Sequence, residues 1–446
     1  MVSVAAPAPR KHVLGVLVLV LTAGSLLLSA PASPSGNGAA ACGKVITKSF
    51  TLSHDLLNCP ADGLVVGANG ITINLNGKLV DGVSAAAGIR NDGFDRVTIR
   101  NGKVQGFAYG VQLNAGTRGN LVAKLTVSGS KVAGVQLFDA DSNNRVTRNV
   151  LAFQAGDGVA VVGGSSGNVV SDNKIHTNEG NGVYVQASSS NRVVRNMISG
   201  NSDRNVRLDA ANRNHLVRNT LAKGGDAAVE LTDSHWNVLA RNKVSTSGDA
   251  GFILSHSHRN RLLANTATSS SDAGAFLQYS NNNTLRKNAF FGNPAGIDLA
   301  HSHGNIIESN AANANMGNGI NLEDSNGNRI RANIANANHG SGIHVVGEAT
   351  EAGDPHTRGN VVIGNSVSGN GKGGVAIESP GHTLRNNRAF QNRGWGIYAV
   401  FGTLGNTGNS ASGNSELAQC YGIACVTRAP TVTRKPKLRA TRRTRR

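Results

Sequence analysis

The chain has 446 residues and a formal net charge of +18, with 56 glycines, 4% aromatic residues and 16% charged residues. So few bulky side chains argue against two or three ordinary globular domains and favour many thin apolar layers, as in a repeat protein. The sequence contains no phosphate-binding loop, so it does not point to that class of enzyme.

Residues 1–41 have the layout of a signal peptide followed by a linker of small residues. Arg10 and Lys11 precede an apolar stretch from Val13 to Leu28, and Ala30-Pro31-Ala32 is similar to a cleavage site. The stretch is short for a membrane span, which makes an uncleaved anchor the weaker alternative. We therefore expect a secreted protein, extracellular or associated with the cell wall, whose mature chain has no transmembrane segment.

Four cysteines lie near the two ends of the remaining chain. Cys42 and Cys59 form one close pair in sequence, and Cys420 and Cys425 form the other. Because an exported protein meets an oxidising compartment, we predict two local disulfides, one at each end of the folded region.

A repeated Gly-(Val/Ile)-x-(Val/Leu) motif fills the region between the cysteine pairs. It begins with Gly110 to Leu113 and returns at Gly134, Gly158 and Gly182. Asn205 and Ala228 replace the glycine in two repeats, and the series then resumes. Glycine and asparagine tolerate left-handed backbone angles, so we expect them to form the turns between short strands.

A second motif, Asn-x-(apolar)-x-x-Asn, follows each copy of the first. Its final asparagines recur every 22–24 residues, at Asn149, Asn173, Asn196, Asn219, Asn242, Asn265, Asn288, Asn310 and Asn333. Stacked parallel strands about 4.8 Å apart would align them in a ladder that bonds amide to amide, so we assign them a structural role.

These two motifs predict an all-β solenoid of about a dozen coils over residues 42–426. Left-handed β-helices use shorter hexapeptide repeats, and the period of 22–24 residues therefore favours the right-handed parallel β-helix. We expect residues 427–446, which carry nine lysines and arginines and no acid, to form a disordered basic tail.

The repeats resemble those of the right-handed parallel β-helix superfamily, which includes pectate-lyase-like enzymes, alginate epimerases and NosD-like periplasmic proteins. The segment from Cys42 through Cys59-Pro60, with Ile71 to Gly77, is similar to the N-terminal cap of secreted bacterial members. The resemblance covers about residues 42–425 and is specific for the fold, whereas the fold itself hosts many functions.

Three residues suggest a catalytic site. Asp298, Asn321 and His344 occupy the variable position of the first motif in three consecutive coils. A carboxylate, an amide and an imidazole at that spacing could bind a sugar or transfer a proton, and the alternative is an ordinary polar surface.

An insertion from Gly347 to Arg358 follows the His344 strand and lengthens one repeat to 32 residues. Insertions in solenoids form loops, often at the binding face, and this one carries Asp354 and His356. Asp354-Pro355-His356 resembles the core motif of mannuronan epimerases, but Thr357 stands where that family has an acid, so we do not expect epimerase activity from the motif. We include both residues in the candidate catalytic site.

A metal site is a further candidate. Asp233 and His235 fall at the same turn positions as His256 and His258 one repeat later, and such a set could hold a divalent ion such as zinc or copper. Histidine as one more polar turn residue is the alternative.

Arginines recur directly before the ladder asparagines. Arg195, Arg218 and Arg241 should stack at about 4.8 Å, where like charges repel unless anions bridge them. This stripe predicts polyanion binding. We expect a monomer that binds an acidic polysaccharide or wall polymer and has no specific nucleic-acid partner. If the protein is an enzyme, we expect a polysaccharide lyase, hydrolase or epimerase. The alternative is a non-enzymatic wall-associated or NosD-like accessory protein that binds a metal.

Overall fold

The computed structural model describes residues 41–139, 141–347, 357–404 and 407–427. The predicted signal peptide, apart from residue 41, and the basic tail beyond residue 427 lie outside these ranges. Within them every regular element is a β-strand, and no helix is long and apolar enough to cross a membrane.

The strands form a right-handed parallel β-helix of about 16 turns. The sequence predicted about a dozen because the glycine and asparagine motifs weaken at both ends. The turns near Lys44 to Gly82 and near Cys420 lack both motifs and nevertheless pair with their neighbours, as Lys44 does with Leu64 and Ile397 with Cys420.

Each typical turn contributes one strand to each of three parallel sheets. The first sheet has 17 strands. They are Lys44–Ile46, Leu64–Val66, Ala87–Asp92, Tyr109–Asn114, Ala133–Leu137, Asp157–Val161, Val183–Gln186, Val206–Asp209, Val229–Thr232, Phe252–Ser255, Ala273–Gln278, Ala295–Ala300, Ile320–Glu323, Ile343–Val346, Val375–Ile377, Ile397–Ala399 and Cys420–Tyr421.

The second sheet precedes the ladder asparagines. Its strands are Phe50–Thr51, Thr72–Asn74, Thr98–Gln105, Leu121–Ser128, Arg145–Thr147, Val169–Ser171, Arg192–Val194, His215–Val217, Val238–Ala240, Arg261–Leu263, Thr284–Arg286, Ile306–Glu308, Arg329–Arg331, Val361–Ile363 and Thr383–Arg385.

The third sheet follows the ladder asparagines, and the two long strands Thr98–Gln105 and Leu121–Ser128 run through both sheets. Its other strands are Leu56–Cys59, Leu79–Gly82, Val150–Ala152, Lys174–His176, Met197–Ser199, Thr220–Gly224, Lys243–Ser247, Thr266–Thr268, Ala289–Phe291, Ala311–Asn313, Ser366–Ser368, Arg388–Phe390 and Ser410–Ser412.

The register matches equivalent residues of successive turns. In the first sheet Val159 pairs with Val183, and Val183 with Val206. The 32-residue repeat keeps this register, because Ile330 pairs with Val362 across the insertion. Val183 and Leu208, like the other inward-facing residues, are completely buried in one continuous apolar core. Outward-facing side chains therefore form columns that run along the solenoid axis.

The glycines of the first motif have a different role from the predicted one. Gly158, Gly182 and Gly274 are not among the residues with positive φ angles. A Cβ at Gly274 would instead lie 2.6 Å from both the Gly296 carbonyl oxygen and the Phe290 Cβ. These glycines are therefore required for the close approach of neighbouring turns and of the core.

Disulfides join Cys42 to Cys59 and Cys420 to Cys425 at the two ends of the solenoid. The first cross-link holds the N-terminal turns, where Cys59 is fully buried. The second closes a short loop at the last paired strand. Both pairings agree with the sequence prediction.

Candidate functional site

Buried asparagine ladders hold the coils in register. The Asn149 backbone N–H donates to the Asn173 Oδ1 at 2.9 Å, and the Asn149 Nδ2 donates to the Val122 carbonyl oxygen at 3.0 Å. The same contacts recur for the later members of the series, including Asn242 and Asn265. Each side chain thereby satisfies two backbone groups of the preceding turn, an N–H through Oδ1 and a carbonyl oxygen through Nδ2, which is a structural role.

Two further ladders flank this one. The first asparagine of each second motif, such as Asn144, bonds in the same way to its counterpart Asn168. The other ladder follows the third sheet and includes Asn178 and Asn201. Its members recur in sequence at the same period, so a search for three asparagine positions per repeat would have found them.

The outer side of the second sheet and the turn that follows it form the strongest candidate surface, which we call the basic face. It consists of two outward-facing strand columns and the turn column directly before the ladder. Between Arg100 and Arg331 these columns contain 13 lysines and arginines, all exposed, and only two acids, Asp172 and Glu308. The 13 are Arg100, Lys124, Arg145, Arg148, Arg192, Arg195, Arg218, Arg241, Arg261, Arg286, Lys287, Arg329 and Arg331. At about 4.8 Å per turn the face extends for about 50 Å.

The turn column has a left-handed backbone conformation, which it shares with other turn residues such as Arg213 and Trp236. Arg195, Arg218 and Arg241 have φ angles of 56°, 58° and 56°, in the left-handed region that long side chains rarely adopt. The equivalent positions near the C-terminal end hold Gly364 and Asn386, the residue types that suit this conformation. The sequence prediction placed left-handed turns at glycine and asparagine, whereas this column also has the left-handed conformation at six cations, from Lys124 to Lys287.

Grooves lie along the basic face. One of about 410 Å³ is lined by Arg100, Lys124, Arg145, Arg148 and Arg195, together with Asp172 and neutral residues. A second, of about 270 Å³, shares Arg145 and Arg195 with the first and adds Arg192. A third, of about 370 Å³, is lined by Arg261, Arg286 and Lys287, so grooves lie along much of the basic face.

Both acids of the basic face are paired with arginines. Arg195 donates from Nε and Nη2 to the two carboxylate oxygens of Asp172, each at 2.7 Å. This contact is the main reason that the pKa of Asp172 lies below its usual range. Glu308 lies within 3.5 Å of Arg286 and 3.4 Å of Arg331, one turn to either side.

The predicted catalytic residues of the first sheet form a hydrogen-bonded column. The Asn321 Nδ2 donates to the Asp298 Oδ1 at 2.9 Å, and the Asn321 Oδ1 lies 2.9 Å from the His344 Nδ1. The Asn318 Nδ2 also lies 3.4 Å from the His344 Nδ1. Burial raises the pKa of Asp298 to about 6.

Glu378 extends this column by one turn. Its Oε1 lies 3.1 Å from the His344 Nε2, so both ring nitrogens face oxygen atoms. Glu378 was not predicted, because it falls in the column beside that of His344 and follows the irregular insertion. Asp354 and His356 lie outside the described residues, so their position relative to His344 is not part of the site geometry.

The predicted metal ligands are not brought together as one set. The Nδ1 of His235 accepts the His258 backbone N–H at 3.1 Å, and the Nδ1 of His258 accepts that of Asn281 at 3.0 Å. In neighbouring turns Asn212 and Asn281 make the same kind of contact through Oδ1. The histidines thus replace asparagine as acceptors for the next turn.

The other two members of the predicted set lie in a separate column of the same turns. His256 stacks on Tyr279 at 5.1 Å between ring centroids, and Asp233 precedes His256 by one turn. Across the described part of the chain, no group of three or more His, Cys, Asp or Glu side chains is placed to hold a metal ion. These residues therefore do not fit a zinc or copper centre.

Two family models match parts of the chain. The right-handed β-helix region matches residues 51–198 and 152–267, and the NosD family, described as a periplasmic copper-binding protein, matches residues 225–352. The NosD match includes the His235 and His258 turns, whose geometry was described above. No curated protein matches the chain by sequence.

Solved structures with similar architecture include an epimerase module, a tailspike and a lyase. The A-module of a mannuronan C-5 epimerase from Azotobacter vinelandii is 13% identical with a TM-score of 0.42, over 76% of this chain and 91% of that one. The Dettilon tailspike protein is 13% identical with a TM-score of 0.45, over 67% and 61%. An alginate lyase from a Paenibacillus species is 14% identical with a TM-score of 0.39, over 59% and 98%.

At these identities the likenesses concern the architecture alone and carry no argument about activity. The family matches, by contrast, cover the same repeats that build the stacked turns. The parallel coils and the two family matches together show that the chain is a right-handed parallel β-helix repeat protein, similar to NosD over residues 225–352.

Proposed function

We propose that the protein binds an acidic polysaccharide along the basic face. The observation that carries this proposal is the charge of three adjacent columns, where 13 exposed cations face two acids over about 50 Å. A linear polymer with regularly spaced negative charges complements such a surface in both length and sign.

The stacked arginines of the turn column support a binding role. Like charges about 4.8 Å apart repel each other. Arg218 and Arg241 have no acid beside them in this column, and bound anions between the turns would offset the repulsion.

An extracellular, periplasmic or wall-associated location accords with this proposal. Two disulfides form in oxidising compartments, and the NosD family that matches residues 225–352 is described as periplasmic. A wall polymer or an exopolysaccharide is then an accessible ligand for a monomer.

Calorimetry on a uronate polymer at low salt tests the proposal. The variant Arg195→Asn/Arg218→Asn/Arg241→Asn removes three charges and places a residue that suits the left-handed turn. Its matched control, Lys131→Gln/Lys174→Gln/Lys243→Gln, removes three exposed charges outside the basic face. We expect the first variant to lose binding and the control to retain it. Equal affinities in the two variants would refute the proposal.

A second candidate function is proton transfer at the Asp298 column, in a lyase, hydrolase or epimerase reaction on the polymer. The specific support is the unbroken contact chain from Asp298 through Asn321 and His344 to Glu378. A carboxyl group with a pKa of about 6 can exist in either protonation state near neutral pH, as acid–base catalysis requires.

Assays for new double bonds, new reducing ends and altered sugar configuration test this second function. His344→Ala and Asp298→Asn should abolish turnover, whereas His339→Ala, at an exposed turn, should not. Binding without turnover in the wild-type protein would favour the non-enzymatic accessory role instead.

A further inference from the structure

We propose that the basic face recognises a polycarboxylate chain lying parallel to the solenoid axis, in a site of finite length that Asp172 and Glu308 delimit. This inference rests on the proposed function and adds the ligand's charged group, its direction and the ends of the site. It is drawn from the way the protein's own two carboxylates are held on this face.

Asp172 shows how the turn column holds a carboxylate. It occupies the same left-handed position as Arg148 one turn before it and Arg195 one turn after it. Arg195 donates to both Asp172 oxygens at 2.7 Å from Nε and Nη2, the paired arrangement in which a planar guanidinium matches a planar carboxylate. The positive charge of Arg148 also lowers the pKa of Asp172.

Glu308 also contacts arginines, by single longer contacts in a different column. Its Oε2 lies 3.5 Å from the Arg286 Nε, and its Oε1 lies 3.4 Å from the Arg331 Nη1. Arg286 is one turn before Glu308 and Arg331 is one turn after it. At two independent places, therefore, a carboxylate of this face contacts arginine of a neighbouring turn: Asp172 on one side and Glu308 on both.

Between the turns of Asp172 and Glu308, the columns contain arginines that have no acid beside them in their own column. Arg218 and Arg241 follow Arg195 in the turn column, and no acid occurs in the three columns between Asp172 and Glu308. Carboxylates of a ligand can contact these arginines from the solvent side, in the role that Asp172 and Glu308 have for Arg195, Arg286 and Arg331. The columns run along the axis, so the ligand chain must do so as well.

The two acids also set the length of the site. Five turns separate them, with turn-column residues Arg195, Arg218, Arg241, Ala264 and Lys287. At about 4.8 Å per turn these span about 24 Å. At the turns of Asp172 and Glu308 a ligand chain meets a carboxylate of its own sign beside an arginine that is already paired, so the sugar at that turn gains little.

Oligouronates of graded length provide the test, with dissociation constants measured by calorimetry at constant low salt. For the wild-type protein we expect affinity to rise with length and to level off once the oligomer spans about five turns. Asp172→Asn should tighten the binding of longer oligomers about two- to five-fold, the effect of one surface charge pair, and move the plateau to greater length. Glu308→Gln should do the same at the other end.

Matched controls separate this inference from the proposed function. Asp139→Asn removes an exposed acid from another left-handed turn, and Glu179→Gln removes an exposed acid outside the face, so neither should change affinity or plateau. If Arg218→Asn leaves binding unchanged, the proposed function itself fails. If Arg218→Asn weakens binding while Asp172→Asn and Glu308→Gln change neither affinity nor plateau, only this inference fails.

The nature of the charged group has its own test. A polyphosphate and a sulfated glycan of matched charge and length serve as probes beside the uronate. Because Asp172 and Glu308 show arginine–carboxylate contacts on this face, we expect the uronate to bind more tightly than the polyphosphate or the sulfated glycan. Equal or tighter binding of the phosphate or sulfate polymer would overturn the assignment to carboxylates.

Discussion

Asp172 and Arg195 occupy the same left-handed turn position in successive coils, and the Arg195 guanidinium donates to both carboxylate oxygens of Asp172 at 2.7 Å. This contact exists because the stacking of turns brings residues 23 positions apart in sequence to neighbouring positions in space. The same stacking generates the basic face from many turns that individually carry few charges. Most of our predictions therefore concern what keeps the turns stacked or what the stacked columns bind.

Ligand binding by the basic face should be separable from the stability of the fold. Arg218→Asn and Arg241→Asn remove charge at left-handed positions, where asparagine is better tolerated than arginine. We expect binding of a uronate polymer to weaken about ten-fold or more in the double variant, while the thermal midpoint stays unchanged or rises slightly. Calorimetric titration and thermal unfolding followed by circular dichroism measure the two effects. A large fall in the thermal midpoint would mean that these arginines are structural.

The asparagine ladder should be essential for stability. In Asn242→Ala, the Asn219 backbone N–H loses its acceptor and the Leu216 carbonyl oxygen loses a donor, both in a buried environment. We expect a loss of about 2–4 kcal/mol in the free energy of unfolding, measured by urea denaturation. An exposed residue of the same repeat provides the comparison, since Lys243→Ala should change stability by less than about 0.5 kcal/mol.

The two kinds of glycine should respond differently to substitution. A Cβ at Gly274 would lie 2.6 Å from the Gly296 carbonyl oxygen and from the Phe290 Cβ, whereas a Cβ at Gly292 would meet nothing within 4 Å. Gly274→Ala should therefore cost about 1–3 kcal/mol through overpacking. Gly292→Asn, at a φ of 67°, should be tolerated because asparagine adopts that conformation. Equal destabilisation in the two variants would contradict the packing role of Gly274.

Stability should fall at acid pH through His382, which replaces an asparagine in one of the ladders. Its Nδ1 accepts the Asn360 backbone N–H at 3.1 Å, its Nε2 lies 3.0 Å from the Ser379 Oγ, and burial lowers its pKa to about 4. Below about pH 6.5 the unfolded chain takes up a proton at this residue that the folded chain resists. The stability that neutral His382 contributes to the folded protein is thus fully present above pH 6.5 and is lost as the pH falls towards 4.

Thermal midpoints measured between pH 7 and pH 4 test this effect in the wild-type protein and in His382→Asn. The wild-type protein should lose up to about 3 kcal/mol of stability from this group across that range. Asparagine supplies the same acceptor without a proton to gain, so the variant should show a smaller dependence on pH. The same dependence in both proteins would assign the effect to other groups.

The sequence predicted the architecture well because the fold repeats one local pattern. The alternation in Gly158 to Val161 and the spacing of Asn149, Asn173 and Asn196 already contain the period and the inward-facing positions. The number of turns was underestimated, because the terminal turns are stabilised by pairing and by the Cys42–Cys59 disulfide without the repeated residues.

The candidate sites were less predictable because they depend on contacts between turns. The alignment identified the column of Asp298, Asn321 and His344, but Glu378 enters from the adjacent column beyond an irregular insertion. The spacing of His235 and His258 suggested metal ligands, yet each Nδ1 is used by the backbone of the next turn, which composition cannot reveal. Arg286 and Arg331 were missed because they lie one column away from the stripe that the ladder motif defines.

The most direct test of the basic face is calorimetric titration of a uronate polymer into three proteins. These are the wild-type protein, the Arg195→Asn/Arg218→Asn/Arg241→Asn variant and the Lys131→Gln/Lys174→Gln/Lys243→Gln control. We predict saturable binding to the wild-type protein and to the control, and at least about ten-fold weaker binding to the arginine variant. No binding by the folded wild-type protein, or an identical loss in both variants, would contradict the assignment of a polysaccharide site to these columns.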